Sequence, residues 1–292
     1  MAESEAWTVG RLLQWTADYL KRHGADSPRL DAEVLLAEVL HCPRIALYTS
    51  FDETPGKTVR TAFRDLVKRR AEGTPVAYLV GHREFFSLDF RVTQDVLIPR
   101  PETELLVMTL IELARQSPRD PIAICDVGTG SGIIAVAAAK HLPKSRVTAI
   151  DVSPAALAIA RGNAQTHGVL DRIEFVESDL FAAVPPERRF DFVVGNPPYV
   201  GETELETLAP EVRRFEPRVA LVAGSRGTEV IERLLAQAVE RLHPGGRLLL
   251  EISPMIHGAV QALLAADARL ESGPTVKDLS RLPRVVQARR RC

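Results

Sequence analysis

Residues 122–141 read IAICDVGTGSGIIAVAAAKH, and this stretch decides the fold. The apolar run at 122–127 is typical of a buried strand, and the run from Ile133 to His141 is typical of a helix. The segment between them, residues 128–132, has a glycine at every second position. A glycine-rich turn between a strand and a helix is where layered α/β domains bind nucleotide-like ligands. The stretch therefore predicts an α/β, Rossmann-like domain with a ligand site at this turn.

Downstream of this stretch, strand-like runs continue to alternate with helical patterns. The runs lie at 146–150, 173–176, 192–194 and 248–252, and a last strand is expected over Pro283–Arg290. Such alternation is typical of βαβ units and of a mainly parallel sheet. We therefore expect one α/β domain over residues 96–292.

Upstream, the pattern changes to helical spacing. Between Thr8 and about Leu79 the apolar residues recur every three or four positions, and glycines, Ser27 and Pro28 mark helix ends. Residues 81–95 instead set single apolar side chains among polar ones, which is typical of a short hairpin. The sequence thus predicts a small all-helical domain over 1–80 and a β-hairpin linker over 81–95.

Composition excludes several classes of protein. No apolar run approaches the roughly 20 residues that a membrane-spanning helix needs, and the first ten residues lack the pattern of a signal peptide, so we expect a cytoplasmic protein without membrane contact. Cys42, Cys125 and Cys292 are scattered, which predicts neither disulfides nor a metal site. A net charge of -1 and 5% aromatic residues do not favour direct nucleic-acid binding.

The glycine turn indicates the kind of ligand. Its spacing is GxGxG, whereas a dinucleotide site has GxGxxG and holds a pyrophosphate, so a ligand without phosphates is favoured. We assign the turn to the cofactor, with these residues: Gly128, Thr129, Gly130, Ser131 and Gly132. An ordinary tight turn is the alternative.

Acidic residues after the next two strands extend this site. Asp151 ends the next strand, 19 positions after Gly132, where a carboxylate can accept hydrogen bonds from both ribose hydroxyls. This feature is common to NAD and S-adenosylmethionine sites and does not choose between them. Asp179 and Leu180 follow the third strand and are expected at the adenine, with a purely structural role as the alternative.

A second motif follows the strand at 192–195, where the chain reads Asn196-Pro197-Pro198-Tyr199. Proline offers a carbonyl without an N–H, so Pro197 presents an acceptor with no competing donor. The side-chain oxygen of Asn196 and this carbonyl could each accept one N–H of a substrate NH2 group, while Tyr199 stacks on the amide plane. Because orientation would supply the catalysis, no general base is required. A rigid turn is the alternative interpretation.

With these motifs the chain resembles, over nearly its whole length, the HemK/PrmC family of release-factor glutamine N5-methyltransferases. Further segments carry the resemblance: GHREF (81–85), VLIPRPETE (96–104), FEP (215–217), PGG (244–246) and KDL (277–279). It implies S-adenosylmethionine as cofactor, a seven-stranded methyltransferase domain, and the Gly-Gly-Gln glutamine of peptide-chain release factors as acceptor. Asn196 is then expected to contact the cofactor as well as the substrate, and the helical domain is expected to recognise the substrate protein.

The resemblance also leaves open points. Pro198 and Arg100 are expected in substrate binding, although Arg100 and Glu102 could instead cap a helix. Two segments, EISPMIH (251–257) and AGSRG (223–227), depart from the family pattern, which puts in question how the far wall of the site is built. Alternative functions are methylation of a ribosomal-protein glutamine or of an exocyclic base amine, and a binding module that has lost activity.

Overall fold

A computed structural model describes residues 6–292, so the first five residues of the predicted helical domain lie outside the described part. The α-helices of the described residues are α1 (Val9–Arg22), α2 (Pro28–Leu40), α3 (Ala46–Thr49), α4 (Lys57–Ala71), α5 (Val76–Val80), α6 (Thr103–Arg115), α7 (Ile133–His141), α8 (Pro154–Thr166), α9 (Pro210–Phe215), α10 (Arg218–Leu221), α11 (Glu229–Arg241) and α12 (His257–Ala266).

The β-strands of the same residues are β1 (His82–Phe85), β2 (Leu88–Arg91), β3 (Ile122–Val127), β4 (Ser145–Asp151), β5 (Ile173–Glu177), β6 (Phe190–Gly195), β7 (Val200–Gly201), β8 (Val222–Gly224), β9 (Leu242–Glu251), β10 (Leu270–Ser272), β11 (Val276–Lys277) and β12 (Pro283–Arg290).

The chain divides into two compact units. The helical unit comprises the residues up to Gly81 together with Ala209–Phe215, and the sheet unit comprises His82–Leu208 and Glu216–Cys292. The helical unit therefore includes a short segment from within the predicted 96–292 region.

Ion pairs hold the Ala209–Phe215 segment in the helical unit. The Arg70 guanidinium lies 2.7 Å from a carboxylate oxygen of Asp31 and 2.6 Å from one of Glu211. Arg70 is on α4, Asp31 on α2 and Glu211 on α9. The Arg70 side chain is only 9% exposed, so both pairs lie in a partly desolvated environment where charges interact more strongly than at the surface. Helix α9 is thus bound to the other helices of its unit.

The predicted α/β class with a Rossmann-like sheet is confirmed. The strands lie in the order β10-β12-β9-β6-β3-β4-β5, and the short β11 pairs with β12 as an eighth strand. Strands β9, β6, β3, β4 and β5 are parallel, whereas β12 is antiparallel to β9. The predicted last strand is β12. Strands β1 and β2 form an antiparallel hairpin within residues 82–91.

Alternating side chains of the central strands build two apolar cores, one on each face of the sheet. On β3, Ile124 belongs to the first core and Cys125 to the second; on β6, Val194 and Val193 divide in the same way. This is the period-two alternation of a strand buried on both faces, which explains why these strands are continuously apolar in sequence.

The topology determines where a ligand can bind. Strand β3 has β4 on one side and β6 on the other. The strands that follow β3 in sequence are therefore first added on one side of it and later on the other, which makes β3 a topological switch point. Loops that leave adjacent parallel strands on opposite sides of such a switch point open a crevice at the carboxyl ends. The two motifs predicted from sequence, at 128–132 and 196–199, follow β3 and β6.

Candidate active site

A cavity of about 330 Å³ lies within the sheet unit at this switch point. Its wall includes most of the predicted site residues: Arg100, Gly128, Thr129, Gly130, Ser131, Asp151, Asp179, Leu180, Asn196, Pro197 and Pro198. The structure thus brings the cofactor residues and the Asn-Pro-Pro segment to one cavity. Two further predicted residues, Gly132 and Tyr199, are not on the wall.

Gly132 was assigned to cofactor binding, and the structure shows a packing role for it. Its φ is +84°, and a Cβ at this position would lie 3.0 Å from the Cβ of Ala160. The glycine therefore allows α7 to begin in a left-handed conformation close against α8.

The rest of the glycine turn is held by buried polar groups. One carboxyl oxygen of Asp126 accepts from the Thr129 hydroxyl at 2.6 Å and from the Ala135 N–H at 3.1 Å. Burial raises the pKa of Asp126 to about 7, although these two hydrogen bonds oppose the rise. The side-chain amide of Asn163 donates to the Ser131 carbonyl at 2.8 Å. These contacts fix the turn before any ligand arrives.

Asp151 faces the same turn. Its two carboxyl oxygens accept from the backbone N–H groups of Gly130 and Ser153, each at 2.9 Å. Burial raises the pKa of Asp151, and these hydrogen bonds oppose that effect. Each carboxylate oxygen has two lone pairs, so Asp151 can still accept from two ligand hydroxyls. Its position and remaining acceptors suit a ribose.

Asp179 and Leu180 also line the cavity. Asp179 accepts from the Arg233 guanidinium at 2.6 Å, and both side chains are more than half exposed. An exposed ion pair of this kind contributes little to stability, so Asp179 can exchange partners at low cost. Arg233, on α11, and the half-exposed Val152 also line the cavity, and sequence reasoning did not single out either.

The Asn-Pro-Pro segment enters the cavity because β6 approaches β3 closely. A Cβ at Gly195 would lie 2.6 Å from the Val127 carbonyl oxygen, so only glycine permits this approach. Asn196 follows directly, and its Nδ2 donates to the Thr103 hydroxyl oxygen at 3.4 Å. Pro197 is buried and lines the wall. Asn196 and Pro197, the residues proposed from sequence to supply the two acceptors, therefore both line the cavity.

Tyr199 was expected to stack on the substrate amide, but it packs against the second core. Burial, together with the charge of the nearby Glu251, raises the pKa of Tyr199 to about 12. The Tyr199 carbonyl faces Gly227, where a Cβ would lie 2.7 Å from it, and β7 pairs with β8 around this point. Tyr199 thus anchors the segment in this structure.

The two segments that depart from the family pattern have clear roles. In 223–227, the Glu229 carboxylate accepts from the Arg226 N–H at 2.8 Å and from the Ser225 hydroxyl at 3.1 Å, so this glutamate closes the turn. In the other segment, Ser253 accepts from the Met255 N–H, and His257 contacts the Thr275 hydroxyl. Residues 253–257 are not part of the cavity wall, so that departure lies away from the wall.

Arg100 lies at the cavity with a buried partner. Its guanidinium donates to a carboxyl oxygen of Glu216 at 2.6 Å, and the Glu216 side chain is 1% exposed. Glu102 stands at the start of α6 without a side-chain hydrogen bond to the helix, and the Arg284 guanidinium lies 3.7 Å from it. No side-chain hydrogen bond from Glu102 caps α6, so the structure gives the helix-capping alternative no support from hydrogen bonding.

Comparison with known proteins places this site in a family. Residues 11–81 match a model of the PrmC N-terminal domain, and residues 101–212 match a model of the methyltransferase small domain. The release factor glutamine methyltransferase of Rhodopirellula baltica is 49% identical over 96% of this chain and 95% of its own length. The chain belongs to the release factor glutamine methyltransferase family.

Other members of this family agree. The release factor glutamine methyltransferase of Geobacter sulfurreducens is 43% identical over 85% of both chains. Among solved structures, the 16S rRNA N2 G1207 methyltransferase of Thermus thermophilus, in complex with AdoMet and guanosine, is similar with a TM-score of 0.52. It is 18% identical and covers 72% of this chain and 50% of its own, so the likeness concerns the fold.

Among residues 6–292, no group of three or more metal-ligating side chains is positioned to hold a metal ion. Within the same residues, no helix is both long and apolar enough to cross a membrane.

Proposed function

We propose that the protein transfers a methyl group from S-adenosylmethionine to the side-chain amide nitrogen of the Gly-Gly-Gln glutamine in peptide-chain release factors. The observation that carries the proposal is the shared cavity, in which the glycine turn and Asp151 meet the Asn196 side chain. The relatives of this chain are release factor glutamine methyltransferases, which supports this acceptor. Because release factors act on ribosomes, the cytoplasm is the proposed place of action.

The cavity residues fit this cofactor. S-adenosylmethionine supplies a methyl group on a positively charged sulfur. Asp151 offers acceptors for ribose hydroxyls, and Val152 and Leu180 offer apolar surface for a base. The wall at Gly128 and Gly130 has no side chains, and a Cβ at either position would meet no atom within 4 Å, so the ligand can approach the backbone there. These features suit a nucleoside without phosphates.

At the acceptor end, the chain's own residues hold an amide. A carboxamide nitrogen is a poor nucleophile because its lone pair is delocalised into the carbonyl. The Asn196 Oδ1 and the Pro197 carbonyl each accept one N–H of the substrate, so the nitrogen is oriented and the positive charge that develops on it is stabilised. Orientation of this kind contributes about 7 kcal/mol or more in well-held systems. No base is needed before transfer, because the product loses its proton afterwards.

The helical unit is proposed to recognise the substrate protein. Trp15 on α1 is 45% exposed, stacks on Tyr19 at 5.1 Å and meets Trp7 edge-on at 6.1 Å. An exposed aromatic row of this kind is typical of surfaces that bind other proteins. A small-molecule enzyme would not need such a domain.

Mass spectrometry of a purified release factor, incubated with S-adenosylmethionine and this protein, tests the proposal. We expect one added methyl group on the Gly-Gly-Gln glutamine. A factor with that glutamine replaced by alanine, a ribosomal-protein mixture and transfer RNA serve as control substrates. Methylation of either of the last two in place of the factor would overturn the assignment.

Two variants separate cofactor binding from transfer. Asp151→Ala should abolish cofactor binding in calorimetry because it removes the ribose acceptors. Asn196→Ala should bind cofactor but lose at least about 10²-fold in transfer rate, the usual effect of one lost electrostatic partner. Full transfer by Asn196→Ala would contradict the role of this residue.

A further inference from the structure

A buried carboxyl group with no role in the scheme above lies behind the Asn-Pro-Pro segment. Glu251 is the last residue of β9, is 2% exposed, and pairs with Val285 on β12. Its Oε2 has no hydrogen-bond partner among residues 6–292. A buried carboxyl oxygen without a partner is costly, so its retention at this position calls for a physical reason.

The Thr103 side chain links this carboxyl group to the active site. Its hydroxyl lies close enough to the Glu251 carboxyl group to lower the pKa of Glu251, and the same hydroxyl oxygen accepts from the Asn196 Nδ2 at 3.4 Å. Thr103 is the first residue of α6 and is fully buried. The Thr103 side chain therefore lies beside both Glu251 and Asn196.

The orientation of the Asn196 carboxamide follows from the single proton of the Thr103 hydroxyl. A hydroxyl group has a single proton, and the neighbouring Glu251 carboxylate, which can only accept, attracts it more strongly than a neutral amide oxygen does. The Thr103 oxygen can then only accept from Asn196. The carboxamide of Asn196 must turn its NH2 towards Thr103, which leaves its Oδ1 on the other side. That oxygen is the atom required to accept an N–H of the substrate.

We propose that Thr103 and Glu251 are positioning residues that set the orientation of the Asn196 carboxamide and so present its oxygen to the substrate amide. The proposal rests on the proposed methyl transfer to glutamine. Without a carboxylate behind it, the Thr103 hydroxyl could donate to the Asn196 oxygen, and the amide would turn. The turned Asn196 side chain would then present its two N–H donors to the cavity. These donors cannot hold a substrate NH2 group, because that group also offers N–H donors.

The charges around Glu251 make this orientation sensitive to pH. Burial raises the pKa of Glu251 to about 7, and the Glu102 carboxylate on α6 adds to the rise. The nearby Thr103 hydroxyl and the guanidinium groups of Arg284 and Arg100 oppose it, and the partly buried Tyr199 phenol lies beside it in the neutral form. Below about pH 7, a protonated Glu251 can itself donate to Thr103, which frees the hydroxyl proton for Asn196.

The test uses the full chain with a release factor as substrate. Thr103→Val keeps the shape of the side chain and removes the hydroxyl, and it should lower kcat by about 10-fold to 10²-fold, with KM for the factor and Kd for the cofactor within about threefold. Thr103→Ser should recover most of that loss. The kcat of the wild type should fall as the pH decreases from 8 to 6, whereas that of Glu251→Gln should not depend on pH in this range.

Several results would overturn the proposal. An unchanged kcat in Thr103→Val would do so, as would an identical pH profile in Glu251→Gln and the wild type. If Thr103→Val does not fold, the pH profile of Glu251→Gln alone decides. A wild-type protein that transfers no methyl group to the factor would instead contradict the proposed function, so the two failures are distinguishable.

Discussion

Replacement of Gly227 by alanine tests how the active-site segment is held. Gly227 has a φ of +78°, and its Cβ would lie 2.7 Å from the carbonyl oxygen of Tyr199. An L-residue in this backbone region costs about 1–2 kcal/mol. Relief of the contact requires a separation of about 3.0–3.4 Å, so the two backbones must move apart by about 0.3–0.7 Å. Local overpacking of this kind costs about 1–3 kcal/mol more.

These amounts give two expected results for Gly227→Ala. The free energy of unfolding should fall by about 2–5 kcal/mol, which lowers Tm by roughly 5–15 °C in a protein of this size. A misplacement of 1 Å can cost 10²-fold in rate, so a shift of about half that should lower kcat about fivefold to twentyfold. Cofactor Kd should change little, because Gly227 is not on the cavity wall.

Thermal unfolding, calorimetry with S-adenosylmethionine and single-turnover transfer measure these quantities. Gly258→Ala is the matched control, because Gly258 lies in α12, has no positive φ and has no atom within 4 Å of its added Cβ. This control should keep the wild-type kcat, and its Tm should not fall, because alanine is favoured over glycine within a helix. If Gly227→Ala keeps the wild-type kcat as well, the position of the Asn-Pro-Pro-Tyr segment does not depend on this contact, and the reasoning is refuted.

Two further predictions concern stability and substrate recognition. The pKa of Asp126 is raised by burial from 3.8 to about 7 in the folded state, so the stability that its proton provides is complete below about pH 4 and is lost as the pH rises through 7. Urea unfolding of Asp126→Asn should therefore show a weaker decline between pH 5 and 7 than the wild type, by up to about 1.4 kcal/mol per pH unit, and equal slopes would contradict this account. Trp15→Ser should raise KM about tenfold for an intact release factor and leave KM for a short Gly-Gly-Gln peptide unchanged, as steady-state kinetics would show; equal effects on both substrates would argue against recognition by the helical unit.

Local signals made the fold and much of the cavity predictable. The strand, the glycine turn and the helix at 122–141 are adjacent in sequence, and each has a pattern set by backbone geometry. Asp151 was predicted because parallel strands end at one edge of the sheet, so a residue at the end of the next strand must lie beside the turn. These predictions needed no knowledge of distant contacts.

Other parts of the site depend on pairings that local patterns do not contain. Thr103 and Asn196 are 93 residues apart, and only the packing of α6 beside the end of β6 brings them together. The side chain of Tyr199 follows the pairing of β7 with β8, about twenty residues further on, so a motif alone could not give its direction. Arg70 and Glu211 are 141 residues apart, which explains why α9 was not assigned to the helical unit.

The interrupted boundary of the helical unit matters for anyone who wishes to exchange or remove it. The chain passes from the sheet unit into the helical unit at Ala209 and returns at Glu216, whose carboxylate holds Arg100 at the cavity. Removal of the chain up to Gly81 would take away Arg70, the ion-pair partner of Glu211. Glu211 lies in the short segment that begins at Ala209, and Glu216 directly follows that segment, seven positions after Ala209. A hybrid enzyme with a foreign helical region should therefore receive residues 209–215 from the same donor, since a graft with a single junction would separate α9 from the helices that hold it.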